Sequence, residues 1–209
     1  MLLFDHISVI APSLEEGIEH VSSCLGIELI NGASHNDMGT HNRHVRLGED
    51  CYLEVIAVDP AAPPPSGRRW FGLDDTEEVR ATWEQGLRLR GWVARTHDID
   101  GILNAHGPVL GEKRWLDGHF NFSVPASGKL PMDGTMPSII DLGGAPPTAT
   151  NLTDQGMRLK EFVLEHPYPS EIVALYNDIG IVNPPIVIAG KTCRFHAVIE
   201  TPRGLTTLH

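Results

Sequence analysis

Two side chains suited to holding a metal or moving a proton stand in the middle of apolar runs. His6 lies in FDHISVIA (Phe4–Ala11) and Glu54 in YLEVIAV (Tyr52–Val58). Side chains alternate along a strand, so His6 shares a face with Ser8 and Ile10, and Glu54 with Tyr52 and Ile56. Two such strands side by side would aim an imidazole and a carboxylate into one hollow. A carboxylate in so apolar a run needs a cation, an arginine such as Arg43 or Arg46, or a raised pKa, because burying an unpaired charge is costly. Histidine nitrogen with glutamate oxygen suits Zn, Mn, Fe, Co or Ni, and the lack of thiolate neighbours disfavours a structural zinc site. A lone strand histidine is more often an ordinary core or surface residue. The nearby acid is what gives this one chemical interest.

The elements that must position this pair occupy residues 1–60. Pro12-Ser13 reads as a helix start, with Ser13 as N-cap and Glu16 completing a capping box. Leu14, Ile18, Val21 and Leu25 follow at helical spacing, and Gly26 is the stop. Ile27–Ile30 reads as a short strand, and Gly32–Asn42 as a polar loop dense in His and Asn. His44–Val58 reads as a hairpin turning near Gly48–Asp50. The order is strand, helix, strand, strand, strand.

That order, with a histidine in the first strand and a glutamate in the fourth, resembles the vicinal oxygen chelate superfamily. It is closer still to the glyoxalase-like domain branch, where DH in strand one is followed by a GGxH…GTxN loop and a YLEL fourth strand. This chain has Asp5-His6, Gly32-Ala33-Ser34-His35, Gly39-Thr40-His41-Asn42 and Tyr52-Leu53-Glu54, departing only at Ala33. The resemblance implies an α+β fold of repeated βαβββ modules. These form a curved mixed β-sheet cup with helices on the outside, and each module supplies two metal ligands.

Residues 61–90 read as a linker, stiffened by three consecutive prolines, and a covering helix from about Thr76 to Arg90. Residues 91–145 repeat the first arrangement, and their WxxR (Trp92 to Arg95) and RxxDG (Arg114 to Gly118) elements resemble the same family. Residues 156–209 give a third, βαβββ-like module, so the chain carries three weak repeats. The third is surplus to one cup and either braces the fold or meets a second subunit in a homodimer. Aligning Pro167 with Pro12 puts Glu161 at the position of His6, and aligning PSIIDLGG with YLEVIA puts Asp141 within a residue of Glu54. Module two offers Gly91 or Trp92 at the His6 position, and neither binds metal. The expected ligand set is therefore His6, Glu54, Asp141 and Glu161.

Other roles follow from residue type. Glu54 would move the proton where the metal does not claim it. His35 and Asn42, with Thr40 beside them, would orient a polar substrate at the rim. Arg95 and Arg114 read as salt-bridge partners, or as clamps for an anionic substrate. Trp92 and Trp115 read as packing or as the floor of an apolar pocket. His97, His106, His119, His166 and His196 lack ligand spacing and read as surface or core. A net charge of −11 argues against nucleic acid or an anionic membrane as partner. The apolar runs are too short to span a bilayer, the start lacks a signal peptide's basic region, and three cysteines without a CxxC suit the cytoplasm. The function expected is a divalent-metal-dependent enzyme of isomerase, lyase or dioxygenase type acting on a small oxygen-bearing molecule. The alternative is a metal-free protein that binds or sequesters a small molecule in the same cup.

Overall fold

In the computed structural model, which describes residues 1–209, both halves of a curved sheet are assembled around β1 (Leu2–Ile10). This strand is covered on both faces, and apart from Asp5, His6 and Ser8 its sequence is apolar. Helix α1 (Leu14–Leu25) opens on Ser13, whose hydroxyl accepts from the Glu16 amide, and closes on Gly26 at φ 69°. The strand expected over 27–30 does not form. Leu29 is buried and Ile27 half-buried against the core while Ile30 is exposed, and the short strand falls later, as β2 (Ser34–His35). Strands β3 (Thr40–Arg46) and β4 (Tyr52–Val58) complete the half, with β4 parallel to β1.

The connecting segment carries α2 (Thr76–Glu84), which ends before Arg90 because the residues from Leu89 onward are drawn into β5 (Leu89–Arg95). After β5 come α3 (Ile99–Leu110), β6 (Glu112–Leu116), β7 (Phe120–Val124) and β8 (Ser138–Asp141). Strands β1 and β5 pair antiparallel, giving the order β2-β3-β4-β1-β5-β8-β7-β6: a module and its reversed copy about one seam.

The last part of the chain has the expected kind of element order but another topology. It comprises β9 (Arg158–His166), α4 (Pro169–Asp178), β10 (Ile181–Val182), β11 (Ile186–Ala189), β12 (Arg194–Thr201) and β13 (Gly204–Leu208). Its own sheet runs β11-β9-β12-β13, so the last strand is two places from the first instead of beside it. This sheet lies against the convex side of the cup. Phe162 stacks on Phe195 with centroids 5.0 Å apart and meets Phe4 at 5.8 Å and Trp92 at 6.3 Å. Strand β10 leaves that sheet and pairs with the start of β1, Leu2 opposite Ile181 and Leu3 opposite Val182. The third unit thus braces the fold.

Alternation along β1 and β4 sorts two cores. Ile7, Val9, Leu53 and Val55 face the helices and the bracing sheet, while Ile10 and Ile56 join Trp70, Phe71 and Phe122 on the concave side. Gly17 lets α1 sit tight on β4: a Cβ there would collide with the Val55 side chain and lie 2.9 Å from the Ala11 Cβ.

Candidate active site

The register of β3, β4 and β1 sets polar side chains abreast on the concave face. His44, Glu54 and Ser8 form one row, and Tyr52 and His6 stand in the next. Glu54 is 4% exposed and His6 3%. Ser8 Oγ donates to Glu54 Oε2 at 3.1 Å, and Asn42 Nδ2 to Oε1 at 2.8 Å. His6 Nε2 lies 3.6 Å from Oε2 and His44 Nε2 3.9 Å from Oε1. These distances are long for hydrogen bonds but short for charge interaction in a buried place. The arginines that could have neutralised Glu54 are used elsewhere: Arg43 and Arg46 donate to the carbonyls of Asn42 and Gly48. Two imidazoles balance the acid instead.

His6 is held from behind. Its Nδ1 donates to Asp5 Oδ1 at 2.7 Å, and Arg95 donates to Asp5 Oδ2 at 3.3 Å. Neighbours on a regular strand point to opposite faces, so this contact needs an irregularity. The β1–β5 register supplies it: Phe4 pairs with Ala94 and His6 with Val93, leaving Asp5 as an unpaired bulge residue. Burial alone would lower the His6 pKa, but the hydrogen bond to Asp5 and the charge of Glu54 outweigh it and raise it from 6.5 to about 9. Burial would likewise raise Glu54, and the His44 and His6 imidazoles outweigh it and hold the acid well below its usual range. Tyr52 stacks on His6 at 4.4 Å, and burial and the charges of Asp5 and Glu54 push its phenol well above its ordinary value.

Asn42 is bonded at every polar atom. Besides Glu54, its amide donates to His35 Nε2 at 3.0 Å, and its Oδ1 accepts from the Ala33 amide at 2.8 Å. An accepting Nε2 puts the His35 proton on Nδ1, which donates to Asp117 Oδ2. The floor of the cup is thereby linked through Asn42 and His35 to the β6–β7 turn of the other half.

These groups face a cavity of about 140 Å³ whose far side is Trp70, Phe71, Phe120, Phe122, Ile140 and Leu142. Thr40 is buried and accepts from Trp70 Nε1 at 3.2 Å, so it fixes the wall. Phe71 has φ 57°, a backbone state that a bulky side chain rarely adopts and that the surrounding packing must impose.

The structure brings His6, Glu54, His35 and Asn42 together and leaves the other expected residues outside. Arg95 braces Asp5 and also donates to the carbonyls of Phe4 and Asp50. Arg114 donates to the Arg68 carbonyl, away from the cavity. Asp141 follows Ile140, so strand parity turns it out of the cup, where it accepts from the Gly143 amide. Glu161 is on β9 in the bracing sheet, beside a separate hollow of about 390 Å³. Trp92 packs on the convex side against Phe162 and Tyr176, and Trp115 is exposed.

The two-ligands-per-module metal pattern does not fit this chain. In the second half Val93 and Ile140 belong to the concave core. His6 and His44 approach different oxygens of Glu54, each already bonded to Ser8 or Asn42. No three His, Cys, Asp or Glu side chains converge as metal ligands do.

Sequence reasoning missed His44, although it alternates with Asn42 and Thr40 and so shares their face. It also missed His119 and the Phe120–Phe122 wall, where the alternation in FNF was the available signal. Trp70 and Phe71, in a segment read as linker, gave no periodic signal at all.

Residues 4–180 match the family of glyoxalase-like domains. Among solved structures, a hypothetical protein from Staphylococcus aureus is similar at 14% identity and a TM-score of 0.59, over 93% of this chain and 88% of that one. Methylmalonyl-CoA epimerase from Mycobacterium tuberculosis is similar at 18% identity and a TM-score of 0.42, over 68% and 88%. The Streptomyces coelicolor methylmalonyl-CoA epimerase in complex with 2-nitronate-propionyl-CoA follows at 14% and 0.41, over 70% and 99%. No curated protein sequence matches the chain. No helix is long and apolar enough to cross a membrane. With the family match spanning both halves of the cup, the chain belongs to the glyoxalase-like domain family.

Proposed function

We propose that this chain is an enzyme of isomerase or lyase type that moves a proton on a small oxygen-bearing molecule. The observation that carries the reading is the Glu54 carboxylate at the floor of the cavity, flanked by two imidazole nitrogens at 3.6 and 3.9 Å. Those gaps exceed hydrogen-bond length, so both nitrogens retain capacity for a substrate oxygen. Glu54, kept ionised, accepts a proton from the carbon next to the carbonyl that bears that oxygen. His6, kept protonated by Asp5, donates to the oxyanion that develops. Asp5 and Arg95 set the ring's orientation, and the aromatic wall excludes water. No step is assigned to Zn, Mn, Fe, Co or Ni, since His6, His44 and Glu54 do not converge as metal ligands do.

The test is exchange of α-protons for deuterium in a panel of small ketones, followed by NMR in heavy water. Glu54→Gln should slow exchange by roughly 10²–10⁴-fold while the circular dichroism is unchanged. Equal exchange by both proteins, or none above buffer from the parent, refutes the proposal. One observation favours a second reading, a binding protein using the same cup: both Glu54 oxygens already accept a hydrogen bond. Ligand binding without any exchange supports that reading instead.

A further inference from the structure

The cavity divides by origin. Its acid and most of its polar groups come from the first half of the cup, and its apolar side from the connecting segment and the second half, which also adds His119, with Thr148 following it. Neither side contributes a lysine or an arginine. Arg95, the nearest candidate, is held by Asp5 and two backbone carbonyls, and Arg114 is held by the Arg68 carbonyl. An anion entering this space would meet the Glu54 carboxylate, and His6, which can offer it a hydrogen bond, already lies between Asp5 and Glu54 and has its charge balanced by them. A cation would meet Glu54 too, but Glu54 is already matched by His6, and Asp5 by Arg95. A full charge of either sign would give up its hydration for partners whose own charge is already balanced. Size narrows the choice further. The cavity holds about 140 Å³, and a protein cavity of about 150 Å³ accommodates one benzene ring. Trp70 and Phe122, 5.0 Å apart and edge to face, offer ring surfaces to a flat body.

Resting on the proton-transfer reading above, we infer that the substrate is an uncharged, flat molecule of about one six-membered ring, carrying one carbonyl or hydroxyl head. The head faces Glu54 and His6, and the body lies against Trp70, Phe71 and Phe122. Carboxylates and phosphates are not taken as the seated group, because no free partner for their charge is provided.

The test is a series matched in shape and differing in charge: benzoate, benzamide and benzamidine, with acetophenone as the enolisable member. Dissociation constants come from ligand-observed NMR on the intact chain near neutral pH. Benzamide and acetophenone should bind at least tenfold more tightly than benzoate or benzamidine. Leu142→Arg, at a partly buried position on the wall, should keep the melting temperature and shift the preference towards benzoate at least tenfold. Benzoate or benzamidine binding as tightly as benzamide, or none of the four binding, overturns the inference. The two readings fail separately. Acetophenone that binds without α-proton exchange refutes proton transfer and leaves the ligand class standing. Exchange on acetophenone with benzoate binding equally well does the reverse.

Discussion

The buried His6 should leave a signature in the alkaline stability of the protein. Its pKa is raised from 6.5 to about 9 on folding. A raised pKa means that the folded state holds the proton more tightly than the unfolded chain. The resulting stabilisation is full below pH 6.5 and is lost as pH rises through about 9. A shift of that size corresponds to about 3 kcal/mol. The perturbation is His6→Gln, which keeps a polar side chain but cannot take up the proton. Urea unfolding of parent and variant near pH 6 and near pH 10 gives two stability differences. The first should exceed the second by about 3 kcal/mol. Groups that titrate at alkaline pH in both proteins cancel in the subtraction. Asp5→Asn removes the main group holding the proton and should shrink the same difference, with the His6 ring titrating lower by NMR. Equal differences at the two pH values would show that His6 carries no extra proton in the fold, and the electrostatic account of the site would fall. Glu54 acts in the opposite sense: its lowered pKa gives stability that is present above 4.5 and lost as pH falls below it.

Two further outcomes concern the scaffold. Gly17→Ala pushes a methyl group into Val55 and Ala11, and should destabilise by about 1–3 kcal/mol in urea titrations, whereas an exposed helix glycine would gain from the same change. Phe162→Ala opens the interface between the bracing sheet and the cup and should cost about 3–5 kcal/mol. Unfolding should remain a single transition, because one core runs through both sheets; two separated transitions would show that the third unit folds by itself.

Strand patterning made the first half of the cup legible from the sequence. His6 and Glu54 are where alternation puts them, and the Ser13 cap and Gly26 bound α1 as read. The contact of Asp5 with His6 was not legible, because a bulge suspends alternation and leaves no mark in residue type. Asp141 shows the converse: a displacement of one residue in alignment reverses the face, and Ile140 takes the inward place. Glu161 failed for another reason. A strand, a helix and three strands can be threaded in more than one order, and the third unit takes an order in which no strand joins the cup except β10. The aromatic pair Trp70-Phe71 came from a stretch whose burial depends on tertiary contacts, with Thr40 and Phe122 among them.

Acid, amide and the imidazoles beside the acid hang from one strip of the sheet, and the facing strip supplies mostly hydrocarbon and rings. The strips are sewn together along a single antiparallel pair, β1 with β5. Trimming or swelling Ile140, Leu142 or Phe122 therefore re-cuts the mould without loosening the tool opposite it. A lineage built this way can change its diet while keeping its teeth, and a protein engineer can do the same with three codons.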